Sequence, residues 1–330
     1  MQPYAREPEY LTQLADGTVK QLNPFTGTEV WTVAGRGNRP LGVTLPDPVP
    51  LDPAMQGRYC PFCEQRYLET PPEKSRMIRH PDGTREVRYG TTAEELFTTV
   101  AEFRRVPNLF EILSYQYWNA NYGYTLPPRV AARKAAYLDS PIGRDHVLGV
   151  ARTKLLAGGR THEQVDAMTE AEQVDFASGF FGGGHDVIIS RRHFVDGATD
   201  NTQLAASGTM TPDEHGALLS FTVESIQALF NLNRYARYVV VFQNWLRPAG
   251  ASFDHLHKQL VAIDEMSVQT EAELERLRTQ PDIYDQIFTV AATRKLLIAQ
   301  NEHAVALAGF GHRFPGIAIW PLGQAANPWE

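Results

Sequence analysis

The chain has 330 residues, 43% of them hydrophobic, enough to bury a sizeable core in one or two domains and too many for a disordered chain. A net charge of −7 argues against sequence-wide attraction to nucleic acid, so an anionic ligand would have to be met by local cations. Met1 to Tyr10 is polar and no apolar run reaches about 18 residues, so neither a leader nor a membrane span is expected and the compartment expected is the cytoplasm. In chain order, β-branched and aromatic content predicts strands at 28–34, 84–90, 185–190, 236–242 and 255–263, forming a mostly antiparallel sheet. Residues 114–181 read as a helical insertion with helices at 128–138 and 161–176. It opens on Tyr115, Tyr117, Trp118, Tyr122 and Tyr124, a density that points to core or subunit interface ahead of a ligand platform and leaves a lid or a homodimer contact open. Thr211-Pro212-Asp213-Glu214 is a capping box with proline at the first helical position. Leu218, Leu219, Thr222, Ile226, Leu229 and Phe230 then give the helix an apolar face that would cover the sheet. Further helices are expected at 271–279 and 282–298.

Two motifs carry chemistry. In Ala249-Gly250-Ala251-Ser252-Phe253-Asp254-His255-Leu256-His257-Lys258-Gln259, side chains two apart on a strand share a face, so His255, His257 and Gln259 would line one surface. An H-x-H pair alone is weak evidence among ten histidines. Cys60-Pro61-Phe62-Cys63 holds the only two cysteines, which reads as a metal half-site or a redox pair. A redox pair normally opens a helix, and Thr70-Pro71-Pro72-Glu73 forbids a long one here, so zinc (Zn2+) is favoured. Zinc needs four ligands, which leaves histidines to complete the set: His193 after the run Val187 to Ser190, and His255, with His185 at the wrong end of that run.

Several ordered segments resemble the galactose-1-phosphate uridylyltransferase group of the histidine-triad superfamily, in its transferase and phosphorylase branch. They are Asn23-Pro24-Phe25-Thr26-Gly27 with Arg36-Gly37-Asn38-Arg39-Pro40, Cys60-Pro61-Phe62-Cys63, Pro107-Asn108-Leu109-Phe110, His185 through His193, Phe242-Gln243-Asn244, and Ser252 with His255-x-His257-x-Gln259. The resemblance implies an α+β, histidine-triad-like fold with a catalytic domain at 1–265 and, at 266–330, linker helices opening a reduced or truncated second repeat. It implies that Cys60, Cys63, His193 and His255 hold zinc and that His257 is a nucleophile, assisted by Gln259 and Ser252. Arg36, Arg39, Asn108, Phe110, Asn244, Gly250, Ala251, Ser252 and Gln259 would contact nucleotide.

An imidazole with an ordinary pKa near 6.5 is substantially free base at neutral pH and can attack phosphorus without a separate base. Gln259 can donate to the non-bridging oxygens where charge builds, and backbone N–H groups at Gly250 and Ala251 are expected to meet the leaving phosphate. Glutamine at 259, where hydrolases of the superfamily carry a third histidine, favours transfer over hydrolysis. The expected activity is ping-pong transfer of a nucleoside monophosphate from a nucleotide sugar to a hexose 1-phosphate. Inorganic phosphate as acceptor is the runner-up, and a zinc-stabilised nucleotide-binding module without turnover is the reading from a different class. Neither a nucleic acid nor a membrane is an expected partner.

Overall fold

A computed structural model describes residues 10–35 and 47–323, which fall into two compact units. The larger, from residue 47 to 265, is built on strands β4 (Ser75–Arg79), β5 (Arg85–Tyr89), β6 (Ala101–Pro107), β7 (His185–Ser190), β8 (Tyr238–Phe242) and β9 (His257–Ile263). They form one antiparallel sheet in the order β5-β4-β6-β7-β9-β8. In the smaller unit, β1 (Leu11–Gln13), β2 (Val19–Leu22) and β3 (Glu29–Thr32) make one three-stranded sheet, and β10 (Leu297–Gln300), β11 (Ala304–Ala308) and β12 (Ile317–Pro321) make another. The described residues before 36 therefore group with the chain after 265, and not with the six-stranded sheet as the expected 1–265 domain would have it. Tyr10 and Leu11 are buried in one core with Ile283, Ile287 and Phe310, which explains the grouping.

The larger sheet has two distinct faces because successive side chains alternate. Met77, Phe103, Ile188, Leu260 and Ala262 pack on helix α7 (Pro212–Leu232) through Leu218, Phe221 and Leu229. Each of these buried side chains other than Ala262 contributes about 1.5–3 kcal/mol. The Thr211 capping box with Glu214 starts α7 as expected, and the Thr222 and Ser225 hydroxyls donate back to the Leu218 and Phe221 carbonyls, so the buried face carries no orphan hydroxyl. Leu219, expected on that face, is 49% exposed; the apolar stripe runs through Phe221 instead.

On the other face Val106, Val187 and Ile189 pack with Phe62. The insertion supplies helices α1 (Tyr115–Tyr122), α2 (Pro128–Asp139), α3 (Pro141–Ala157), α4 (His162–Asp166), α5 (Glu170–Phe176) and α6 (Gly179–Gly182). The helix expected at 161–176 is two, each with its own capping box, at Thr161 and at Thr169. Trp118 and Tyr124 are core residues, whereas Tyr117 and Tyr122 donate their hydroxyls to Asp264. In the smaller unit α8 (Val268–Thr279) and α9 (Ile283–Thr293) precede β10, and α9 stops short of the expected 298 where Lys295 takes a positive φ of 58°. No helix among the described residues is long and apolar enough to cross a membrane.

Candidate active site and metal centre

Proline at 61 and a bend around 60–63 place both thiols of Cys60-Pro61-Phe62-Cys63 on one side, the Cys63 amide donating to the Cys60 carbonyl at 3.0 Å. The sulfurs lie 3.8 Å apart. His193, three residues beyond β7, brings its Nδ1 to 3.4 and 3.5 Å from them, and His255 brings its Nδ1 to 3.5 and 3.7 Å. A tetrahedral centre with bonds of about 2.3 Å to sulfur and 2.0–2.1 Å to nitrogen has edges of about 3.8 Å between sulfurs and 3.6 Å between sulfur and nitrogen. All five distances fall on those edges, so the four side chains form a site that can hold a metal ion and whose dimensions are those of zinc. His255 Nε2–H donates to the Ser190 carbonyl at 2.6 Å, which leaves Nδ1 as the ligating nitrogen. The hydrogen bond between the thiols pulls the Cys63 pKa down and pushes that of Cys60 up.

Strand β9 starts at His257, two residues later than the sequence predicts, so His255 lies in the bend before it. His255 turns to the metal site and His257 lines a cleft of about 700 Å3 together with Asn108, Phe110, Gly250, Ser252 and Gln259. Buried His257 donates from Nδ1 to the His255 carbonyl at 2.7 Å, which makes Nε2 the unprotonated nitrogen. Burial also holds its pKa below the usual histidine value. Phe62, from within the cysteine motif, sets its ring 5.3 Å from that of His257.

Gln259 is oriented by two donors. Ile112 N–H donates to His185 Nδ1 at 3.0 Å, so His185 carries its proton on Nε2 and gives it to Gln259 Oε1 at 3.0 Å. Asn108 accepts the Phe110 N–H on Oδ1 at 2.9 Å, so its Nδ2 is turned to the same oxygen at 3.2 Å. With Oε1 occupied, the Gln259 amide keeps its N–H groups for a ligand. Phe110, 59% exposed, lines the cleft.

Several of the expected residues are engaged elsewhere or lie off the cleft. In the turn after β8, Leu246 adopts φ 64° and Gly250 φ 88°; the Gly250 and Ala251 amides donate to the Arg247 and Leu246 carbonyls, so neither is free for phosphate. Asn244 and Ala251 lie outside the cleft lining. Arg104, Arg105, Arg191, Arg192 and Arg247 do not line it either. Arg104 binds Glu73 and stacks on Tyr67, Arg105 faces Asp186, and Arg192 pairs with Asp196 and Glu214. Arg36 and Arg39 lie outside the described residues. Sequence reasoning missed Phe62, His185 as the partner of Gln259, and α3, whose Gly149, Val150 and Thr153 form a wall of the cleft.

A domain of unknown function, DUF4921, matches residues 14–330. The chain belongs to that family. Among solved structures this DUF4921 chain is similar to a GalT-like protein from Arabidopsis thaliana, at 19% identity and a TM-score of 0.44, over 81% of this chain and 61% of the other. It is also similar to an ADP-glucose phosphorylase from Arabidopsis thaliana with bound ADP-glucose, at 17% identity and a TM-score of 0.44, over 89% and 64%. The DUF4921 chain thus spans less than two thirds of the length of either structure. No curated protein matches its sequence.

Proposed function

We propose that this chain is a nucleotidyltransferase working by ping-pong exchange through nucleotidyl-His257, with zinc as a structural metal. The observation that carries the reading is the state of His257: its Nδ1 proton is committed to the His255 carbonyl, its pKa is depressed by burial, and it lines a cleft of nucleotide-sugar size. In the first half-reaction the Nε2 lone pair attacks the α-phosphorus of a nucleoside diphosphate sugar; the bond to the bridging oxygen breaks and the sugar 1-phosphate leaves. In the second, a phosphate oxygen of a hexose 1-phosphate attacks that phosphorus, and the N–P bond electrons return to Nε2.

Gln259 donates to the non-bridging oxygens, its orientation fixed by His185 and Asn108. Ser252 hydrogen-bonds phosphate, and Gly250 keeps the turn clear of it. The exposed Phe110 ring stacks on the base. Zinc, closed by four protein ligands, would fix His255 and through its carbonyl the His257 ring.

Intact-protein mass spectrometry after brief incubation with UDP-, ADP- and GDP-sugars tests this. One nucleoside monophosphate on the wild type and none on His257→Ala is expected, and the mass names the base. Discharge of that adduct by hexose 1-phosphate supports the transferase; discharge by inorganic phosphate alone makes the protein a phosphorylase. Nucleotide binding with no adduct from any donor would refute covalent catalysis and leave a binding module.

A further inference from the structure

The sheet face opposite His257 carries a second cleft, of about 820 Å3, that nucleotidyl transfer does not use. Alternation along β6 and β7 sends Val106 and Val187 to the His257 cleft, Arg105 to this one, and Asp186 to the buried layer against Arg105. Lys74 joins Arg105 at its floor, and Arg129 and Arg133 enter from the amino-terminal half of α2. From α7 comes Glu224, which accepts the Tyr89 hydroxyl. Asp186 lies beneath, 2.6 Å from Lys74 and 3.4 Å from Arg105. Four cations thus meet two carboxylates, a surplus of two positive charges.

The surplus is recessed. The side chains of Lys74 and Arg105 are 3% and 7% exposed. Arg133 Nε is buried with no hydrogen-bond partner, and Arg105 Nε meets only Asp186 Oδ2, 3.4 Å away and outside hydrogen-bond geometry, so donors already stripped of water are poorly satisfied. Burial lowers the Lys74 pKa and brings that of Arg133 down to about 10, with the Arg105 charge adding to both. Folding concentrates like charge here, which is unfavourable unless an anion completes the site.

We propose that this cleft binds a small phosphorylated metabolite, its phosphate seated among Lys74, Arg105, Arg129 and Arg133. A phosphomonoester carries about −1.5 to −2 charges at pH 7, which matches the surplus, and the arginine fork suits its oxygens. The cleft volume leaves room for a sugar- or nucleoside-sized body against Val130, Phe181 and Leu232. A macromolecular phosphate is a poor fit because the floor cations are buried.

Hydrogen-exchange mass spectrometry of the whole protein with inorganic pyrophosphate as probe tests the assignment. Protection of residues 127–133 and 224–232 is expected, unchanged in His257→Ala. Arg129→Glu and Gln227→Glu, both exposed positions, should each weaken it by at least about tenfold without lowering the melting temperature. Protection confined to 249–259 would overturn this site while leaving the His257 reading intact. Protection that survives both substitutions, or none anywhere, overturns it as well.

Discussion

His185 acts on Gln259 through one proton. Its Nδ1 accepts from the Ile112 amide, so Nε2–H is available to Gln259 Oε1, and burial keeps the ring neutral by lowering its pKa. Without that donor the Gln259 amide could turn over and present oxygen where a phosphoryl oxygen should be met by N–H. His185→Ala is therefore expected to slow His257 adduct formation about 10- to 100-fold at saturating donor, with little change in the donor concentration for half-maximal rate. His185→Gln, which keeps a donor, should recover part of the loss. Equal losses in both variants, or a change confined to donor affinity, would show that His185 is only packing. Glu73 is a second residue held by geometry: it is buried between Arg76 and Arg104, whose charges hold its pKa below the usual carboxylate value against burial. Glu73→Gln leaves two buried guanidinium groups without a counter-charge and should cost about 3–5 kcal/mol in urea unfolding; a cost near that of a surface substitution would refute the pairing.

The elements differ in how openly the sequence announces them. Strand β7 was legible to the residue because Val187, Ile188 and Ile189 are β-branched and flanked by chemistry-bearing histidines. Strands β4 and β6 were not, since Arg76, Arg104 and Arg105 break the apolar alternation and are buried only because Glu73 and Asp186 are there to meet them, a tertiary fact. Helix α3 hid behind Gly143 and Gly149, and with it the cleft wall. The metal set was legible because ligands are spelled by residue type and spacing, whereas the engagement of the Gly250 and Ala251 amides depends on a turn the sequence does not dictate. The entry to β7 shows how little tolerance an element boundary can have. A Cβ at Gly183 would stand 2.1 Å from Glu111 Oε1 and 2.6 Å from the Gly179 carbonyl, and Glu111 is itself tied to Lys154 of α3. Gly183→Ala should lower stability by about 1–3 kcal/mol, read as a lower melting temperature; an unchanged melt would mean that this approach is not tight.

For the whole molecule, conditions act on the larger unit through a few long-range ties. The metal set joins the 60–63 bend to residues 133 and 195 positions further on, so chelation or Cys60→Ser should lower the melting temperature and zinc content together; zinc lost with stability intact would refute a structural role. His146 is a tie of another kind. It donates from Nε2 to the Thr70 carbonyl and accepts the Tyr137 hydroxyl on Nδ1, both at 2.7 Å, and burial holds its pKa below 6.5. His185 is shifted the same way. Above about pH 6.5 both residues are neutral folded or unfolded and contribute no pH dependence. As the pH falls below that value the unfolded chain takes up their protons first, so stability drops by up to about 1.4 kcal/mol per pH unit per histidine until each folded pKa is reached. The Glu73 shift has the same direction but acts in a lower window, its contribution being lost as the pH falls from about 4.5 through its depressed folded pKa. Urea midpoints at pH 7, 6 and 5 with excess zinc should therefore fall for the wild type and fall less for His146→Asn. Because both proteins share the metal site, the difference between the two profiles isolates His146. Parallel profiles would mean that its burial carries no acid sensitivity.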